Sequence, residues 1–309
     1  MKNNLNLKVK IGDTTFKNPI WTASGTFGYA REFRNLLDLG KAGAIVAKTI
    51  TLEGREGNRP PRMVETASGL LNSIGLENKG ADHFKKEYYP FLKGLDTRII
   101  ISVAASLPEE LKKFSGKFSG EDTPDAVELN LSCPNVTHGN TRYRLIAQDA
   151  RATEKMTALL KRLMKCPVIA KLTPNVTDIG EIAKAAEAGG ADAVSLVNTY
   201  PGMAVDAELM KPVLGNVTGG LSGPAIKPIA LKAVWDAYNS VKIPVIGIGG
   251  IMNGTDAAEF MLCGASAVQI GTANFIDPAA QNRILEEFKE YLERKNIKSA
   301  RALVGKLNE

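Results

Sequence analysis

Eight short apolar runs recur along the chain, at Pro19–Ala23, Ala44–Thr49, Arg98–Val103, Ala126–Leu131, Val168–Leu172, Ala193–Val197, Pro244–Ile248 and Ala267–Ile270. Between most of them lie segments of helical periodicity, for example Arg144–Lys165, Ile179–Ala188, Ile226–Tyr238 and Thr255–Cys263. Strand and helix that alternate in this way build parallel βαβ units. Runs such as AVSLV and PVIGIG show no polar-out alternation, so they are buried on both faces, which suits a parallel sheet and argues against an antiparallel sandwich. Eight units predict closure into a (β/α)8 TIM barrel. A doubly wound open sheet would carry GxGxxG opening its first helix, and no such string follows the first run. The alternating stretch Leu7–Phe16 turns at Gly12-Asp13 and predicts a β-hairpin that closes the barrel floor. No linker, short-period repeat or low-complexity stretch interrupts the pattern, so a single domain over residues 1–309 is expected.

With 44% hydrophobic residues the chain can bury a large core without staples. The formal charge of +6 is spread out, without the Lys/Arg run or aromatic interleaving of a nucleic-acid surface. MKNNLNLKVK lacks the apolar stretch of a signal peptide, and no segment approaches the roughly 18 apolar residues of a membrane span, so a cytoplasmic enzyme is expected. Cys133, Cys166 and Cys263 form no CxxC pair, which argues against a metal site, a cluster or a disulfide framework. Cys166 and Cys263 read as small buried side chains; Cys133 stands in a different setting.

In such a barrel the chemistry gathers at the carboxyl ends of the strands. Here the runs stop on Ser24, on Lys48-Thr49, on Ser102, on Asn130 ahead of Ser132-Cys133-Pro134-Asn135, on Lys171, on Asn198-Thr199, on Gly249-Gly250 and on Gly271-Thr272. A single lysine or asparagine at a strand end is ordinarily a solvated group or a cap. Two lysines, two asparagines and paired glycines at equivalent ends imply a ligand rich in acceptors. Glycine turns after the last two strands suit a phosphate held by bare backbone N–H groups.

Strings along nearly the whole length resemble class 1 dihydroorotate dehydrogenases: ASGTFG (Ala23–Gly28), KTITLEGREGNRPPR (Lys48–Arg62), LNSIGLENKG (Leu71–Gly80), ELNLSCPN (Glu128–Asn135), NTYPGMA (Asn198–Ala204) and GIGGI (Gly247–Ile251). ITLEGREGNRPPR and CPNVTHG resemble the NAD-linked class 1B more than the fumarate-linked class 1A. The resemblance implies that Ser24, Lys48, Thr49, Ser102, Asn130, Lys171, Val197, Gly223, Gly249, Gly250, Gly271 and Thr272 bind FMN. It implies that Lys48, Asn72, Ser73, Ile74, Gly75, Leu76, Asn130, Asn198 and Thr199 hold the substrate. Where this chain has Ser102 the family usually shows Asn, so a retained but altered flavin contact is expected.

Making the C5=C6 double bond of orotate takes a proton from one carbon of dihydroorotate and a hydride from its neighbour. The flavin accepts the hydride, and Cys133, just beyond a strand end, is the candidate base. His83 reads as solvated and His138 as a surface residue of the Cys133 loop. Residues 134–141, with Gly139, are expected to form a lid. The chain holds no second cofactor motif that could pass electrons to NAD, and the resemblance to class 1B implies a separate electron-transfer subunit carrying FAD and a 2Fe-2S cluster, in a heterotetramer built on a homodimeric core. The rival chemistries are a dihydropyrimidine dehydrogenase-like enzyme, a non-catalytic flavin or metabolite binding barrel, and a flavin-free lyase using Lys171 or Lys48 as a Schiff base.

Overall fold

The computed structural model describes residues 5–131 and 146–307. Eight parallel strands close into a barrel: β1 (Ile20–Thr22), β2 (Ala44–Val46), β3 (Arg98–Val103), β4 (Ala126–Asn130), β5 (Val168–Lys171), β6 (Ala193–Leu196), β7 (Val245–Ile248) and β8 (Ala265–Ile270). Neighbours in the barrel are neighbours in sequence, and β8 closes on β1 through Val268–Ile270 opposite Ile20–Thr22. Each strand lies within one of the eight predicted runs apart from β8, which starts two residues earlier.

The outward side chains of the strands join the helices in one large core, whereas the inward ones form a second, separate cluster. That inner cluster contains Trp21, Val46, Ile100, Ile169 and Ile246 from the strands, and Val9, Ile11 and Phe16 from an antiparallel hairpin of Val9–Ile11 and Thr14–Phe16. The hairpin therefore does plug the barrel, with the Phe16 ring 4.4 Å from that of Trp21 and both fully buried. Each such ring contributes about 1.5–3 kcal/mol by leaving water. Gly12, with φ of 53°, makes the turn.

Local signals set the helix limits. Asp149 accepts from the amide of Ala152 and starts Ala150–Leu163, so the helix expected from residue 144 begins later, after a separate 3-10 turn at Ile146–Gln148. Asp178 caps Ile179–Ala188. Asn253 and Asp256 reciprocally cap Gly254–Leu262. Ile226 belongs to a 3-10 turn, Pro224–Ile226, and the following helix runs Lys227–Tyr238.

A second sheet had no counterpart among the expected elements. Four antiparallel strands, in the order Tyr200–Met203, Thr218–Ser222, Gly69–Asn72, Met63–Thr66, stand on the carboxyl-end rim. Thr218–Ser222 pairs Gly220 with Asn72 and Leu221 with Leu71, tying the β2–β3 connection to the β6–β7 connection. Gly220 must lack a side chain, since a Cβ there would sit 1.9 Å from Thr199 Oγ1.

Candidate active site

A cavity of about 370 Å³ opens where the barrel strands end, between the rim and this second sheet. Ser24 reaches it after β1, Lys48 and Thr49 after β2, Asn130 from the end of β4 and Lys171 from the end of β5. Val197, Asn198 and Thr199 follow β6, Gly249 and Gly250 follow β7, and Gly271 and Thr272 follow β8. Asn72, Ile74, Gly75, Leu76 and Gly223 cover it from the rim sheet and the loop beyond. Inward alternation on the strands explains the convergence, because residues two apart face the same way.

Two expected residues stand behind the wall. Ser102 is fully buried, its hydroxyl 2.9 Å from Thr49 Oγ1, and does not line the cavity. Ser73 is likewise fully buried, with its hydroxyl accepting from Asn58 Nδ2 at 3.0 Å. Cys133 and His138 lie outside the described residues. Of the other two cysteines, burial pushes the Cys166 thiol up to about 12, and the half-buried Cys263 thiol is raised by burial and by Glu259; neither lines the cavity.

The wall also includes Thr26, Met63, Glu77, Ser222, Ile248 and Phe275, which the sequence reading had not singled out. Thr26 was within reach, being inside the ASGTFG string. Ser222 came from the hidden rim sheet; its hydroxyl accepts from Thr272 Oγ1 at 2.9 Å, so the turns after β6 and β8 meet there.

The loop carrying Ile74, Gly75 and Leu76 is held from behind. The Asn58 amide donates to the Ser73 carbonyl at 3.2 Å, and the Asn58 backbone N–H donates to the Ile74 carbonyl at 3.0 Å. Arg62 in turn donates from Nε to the Asn58 carbonyl at 2.5 Å and pairs with Glu77 at 2.6 Å. The charged stretch Arg55–Arg62 thus acts as a strut for the loop above the cavity. Gly75, with φ of 77°, packs so tightly on Asn58 that a Cβ would lie 2.7 Å from its amide.

Beneath the cavity floor lies a polar layer. Lys171 Nζ donates to Ser24 Oγ at 3.2 Å and stands 3.6 Å from Glu128 Oε1. Asn130 Nδ2 donates to Thr49 Oγ1 at 3.3 Å. Gly249 and Gly250, with φ of 130° and 74°, bring bare backbone to the wall; a Cβ on Gly250 would lie 2.8 Å from the Gly223 carbonyl. Lysine ammonium, asparagine amides, hydroxyls and glycine backbone together suit a planar, acceptor-rich ligand with an anionic end.

A second hollow, about 530 Å³, backs onto Lys48 and is lined by Tyr29, Arg55, His83 and Tyr88. His83 therefore borders a cavity, edge-on to Tyr88 at 5.8 Å, and is half-buried rather than fully solvated. It does not reach the rim cavity. Among the described residues no group of three or more His, Cys, Asp or Glu is placed to hold a metal, and no helix is long and apolar enough to cross a membrane.

Residues 6–292 match the family model described as dihydroorotate dehydrogenase. The chain is 50% identical over 301 residues to a protein of Desulforamulus reducens named dihydroorotate dehydrogenase B (NAD(+)), catalytic subunit, covering 97% of this chain and 98% of that one. A protein of the same name from Bacteroides thetaiotaomicron is also 50% identical, with the same coverage. The one from Caldicellulosiruptor saccharolyticus is 48% identical, over 98% of this chain and 100% of its own. A barrel with this rim, matched over nearly its whole length by such relatives, belongs to the dihydroorotate dehydrogenase family.

Proposed function

We propose that this chain is the FMN-binding catalytic subunit of an NAD-linked dihydroorotate dehydrogenase, oxidising (S)-dihydroorotate to orotate in pyrimidine synthesis. The observation that carries the reading is the convergence of Lys48, Lys171, Asn72, Asn130 and Asn198 on one cavity at the carboxyl ends of the strands. The residues fit a flavin mononucleotide: glycine turns after β7 and β8, with the Ser222 and Thr272 hydroxyls beside them, suit a phosphate, and Lys171 and Asn130 suit the polar ring. When bound, the flavin supplies a two-electron acceptor that no side chain can provide.

The protein's own part is binding, orientation and proton transfer. Lys48 offers a fixed cation to the substrate carboxylate, and Asn72, Asn130 and Asn198 offer both donors and acceptors to a ring edged with amides and carbonyls. The loop braced by Asn58 covers the ring and limits water. Cys133, three positions after Asn130 in sequence, takes the C5 proton as thiolate. Residues 134–141 would serve as its lid, a role that lies outside the described residues. Electrons leave through a separate subunit with FAD and a 2Fe-2S cluster, in a heterotetramer built on a homodimer of this chain, working in the cytoplasm; the words "catalytic subunit" in the relatives' names support a partner.

The test is direct. Purified chain loaded with FMN should reduce an artificial dye with dihydroorotate and fail to reduce NAD until the partner is added. Cys133→Ser should keep FMN and lose most turnover at pH 7. Efficient NAD or fumarate reduction by the lone chain would overturn the NAD-linked subunit assignment, and near-normal activity of the serine variant would overturn the base. The Schiff-base lyase reading needs a lysine amine held neutral in an apolar pocket; Lys171 is instead ion-paired with a buried carboxylate.

A further inference from the structure

Glu128 has no place in the chemistry described so far, yet it is the fully buried carboxylate at the centre of the barrel. It lies on β4 two residues before Asn130, hence on the same inward face and one layer below the cavity. Four other strands aim donors or charge at it. Gln269 Nε2 on β8 donates to Oε2 at 2.7 Å, and Ser195 Oγ on β6 donates to Oε2 at 3.1 Å. Ser102 Oγ on β3 donates to Oε1 at 3.4 Å, and Lys171 Nζ on β5 stands 3.6 Å from Oε1. Lys171 belongs to the cavity wall, whereas Glu128 does not. From Ser102 the contacts continue upward to Thr49 and on to Asn130, both on that wall.

A buried carboxylate is a costly way to fill a barrel, and an apolar residue of similar size would serve packing as well or better. What an apolar residue cannot do is balance the charge of a lysine facing a ligand. Because water is excluded at this depth, the charge acts over a longer range than it would at the surface.

We propose that Glu128 is a positioning residue that fixes the place of the Lys171 ammonium and offsets part of its charge, and so sets the balance between the oxidised and reduced forms of the bound flavin. The proposal rests on the FMN reading above. With the carboxylate present, the layer under the flavin is close to neutral. Without it, the uncompensated lysine favours the electron-rich reduced form.

The experiment compares wild-type and Glu128→Gln chains, each loaded with FMN, by reductive titration against a reference dye. The glutamine is nearly isosteric, and the flavin spectrum reports binding separately from turnover. The reduced form should gain on the order of tenfold over the oxidised one, roughly 30 mV for a two-electron couple. Glu128→Asp keeps the charge and should lie nearer the wild type. If Glu128→Gln does not fold, Gln269→Leu provides the opposite perturbation: it strips a donor from the carboxylate, leaves more of its charge facing Lys171, and should move the potential downward. A purely structural role would lower the melting temperature in these variants without moving the potential, and an unmoved potential in a folded variant overturns the proposal. If the wild-type chain does not take up FMN at all, the functional reading fails instead.

Discussion

Replacing Lys171 by methionine isolates the energetics of the buried pair from any ligand. The change removes an ammonium 3.6 Å from Glu128 and leaves the carboxylate with no exposure to solvent. Breaking a buried pair from one side costs about 3–5 kcal/mol. Urea unfolding of flavin-free protein at pH 7, followed by tryptophan fluorescence, should therefore show Lys171→Met less stable than the wild type by that amount. Adding Glu128→Gln removes the stranded charge and should recover most of the loss. A deficit below about 1 kcal/mol would refute the reasoning and show that Ser102, Ser195 and Gln269 alone hold the anion.

Phe16→Ala should destabilise the chain by about 3–5 kcal/mol in urea, because the ring is fully buried against Trp21. Iodoacetamide at pH 8 should leave Cys166 unlabelled in mass-mapped peptides, since a thiol pushed up to about 12 by burial is thiolate in about one molecule in ten thousand. Asn58→Ala should raise KM for dihydroorotate by about tenfold, equivalent to about 1.4 kcal/mol of binding, with FMN content unchanged, because it frees the loop of Ile74 and Leu76 without touching the glycine turns.

The barrel was legible because its strands are apolar on both faces, so each announces itself locally. The floor hairpin was legible for a related reason, since Val9, Ile11 and Phe16 alternate with polar residues around a Gly-Asp turn. The rim sheet was not. Gly69–Asn72 finds its partner at Thr218–Ser222, and Asn72 Nδ2 reaches a carbonyl 148 positions away; a glycine-rich strand carries little hydrophobic pattern to reveal such a pairing. Ser73 and Ser102 were misplaced for different reasons. Ser73 stands between Asn72 and Ile74, which line the cavity, but the Asn58 brace holds its hydroxyl away; Ser102 faces inward from β3 one layer too low, with its hydroxyl on Thr49 and Glu128. Glu128 was not legible as a buried anion, because the donors that satisfy it are scattered across β3, β5, β6 and β8.

The two ends of the barrel depend on one another through water. The hairpin does more than bury Phe16. Its side chains complete the inner apolar cluster with Trp21, Ile100, Ile169 and Ile246, directly under the layer that holds Glu128. Water admitted from below would screen the Glu128–Lys171 pair and weaken its reach toward the cavity, as the higher effective dielectric of a wet site requires. The hydrocarbon floor and the polar middle layer are in this sense one device: the first keeps the second dry, and under the proposal above that dryness would let a carboxylate outside the cavity wall act through Lys171, which lines it.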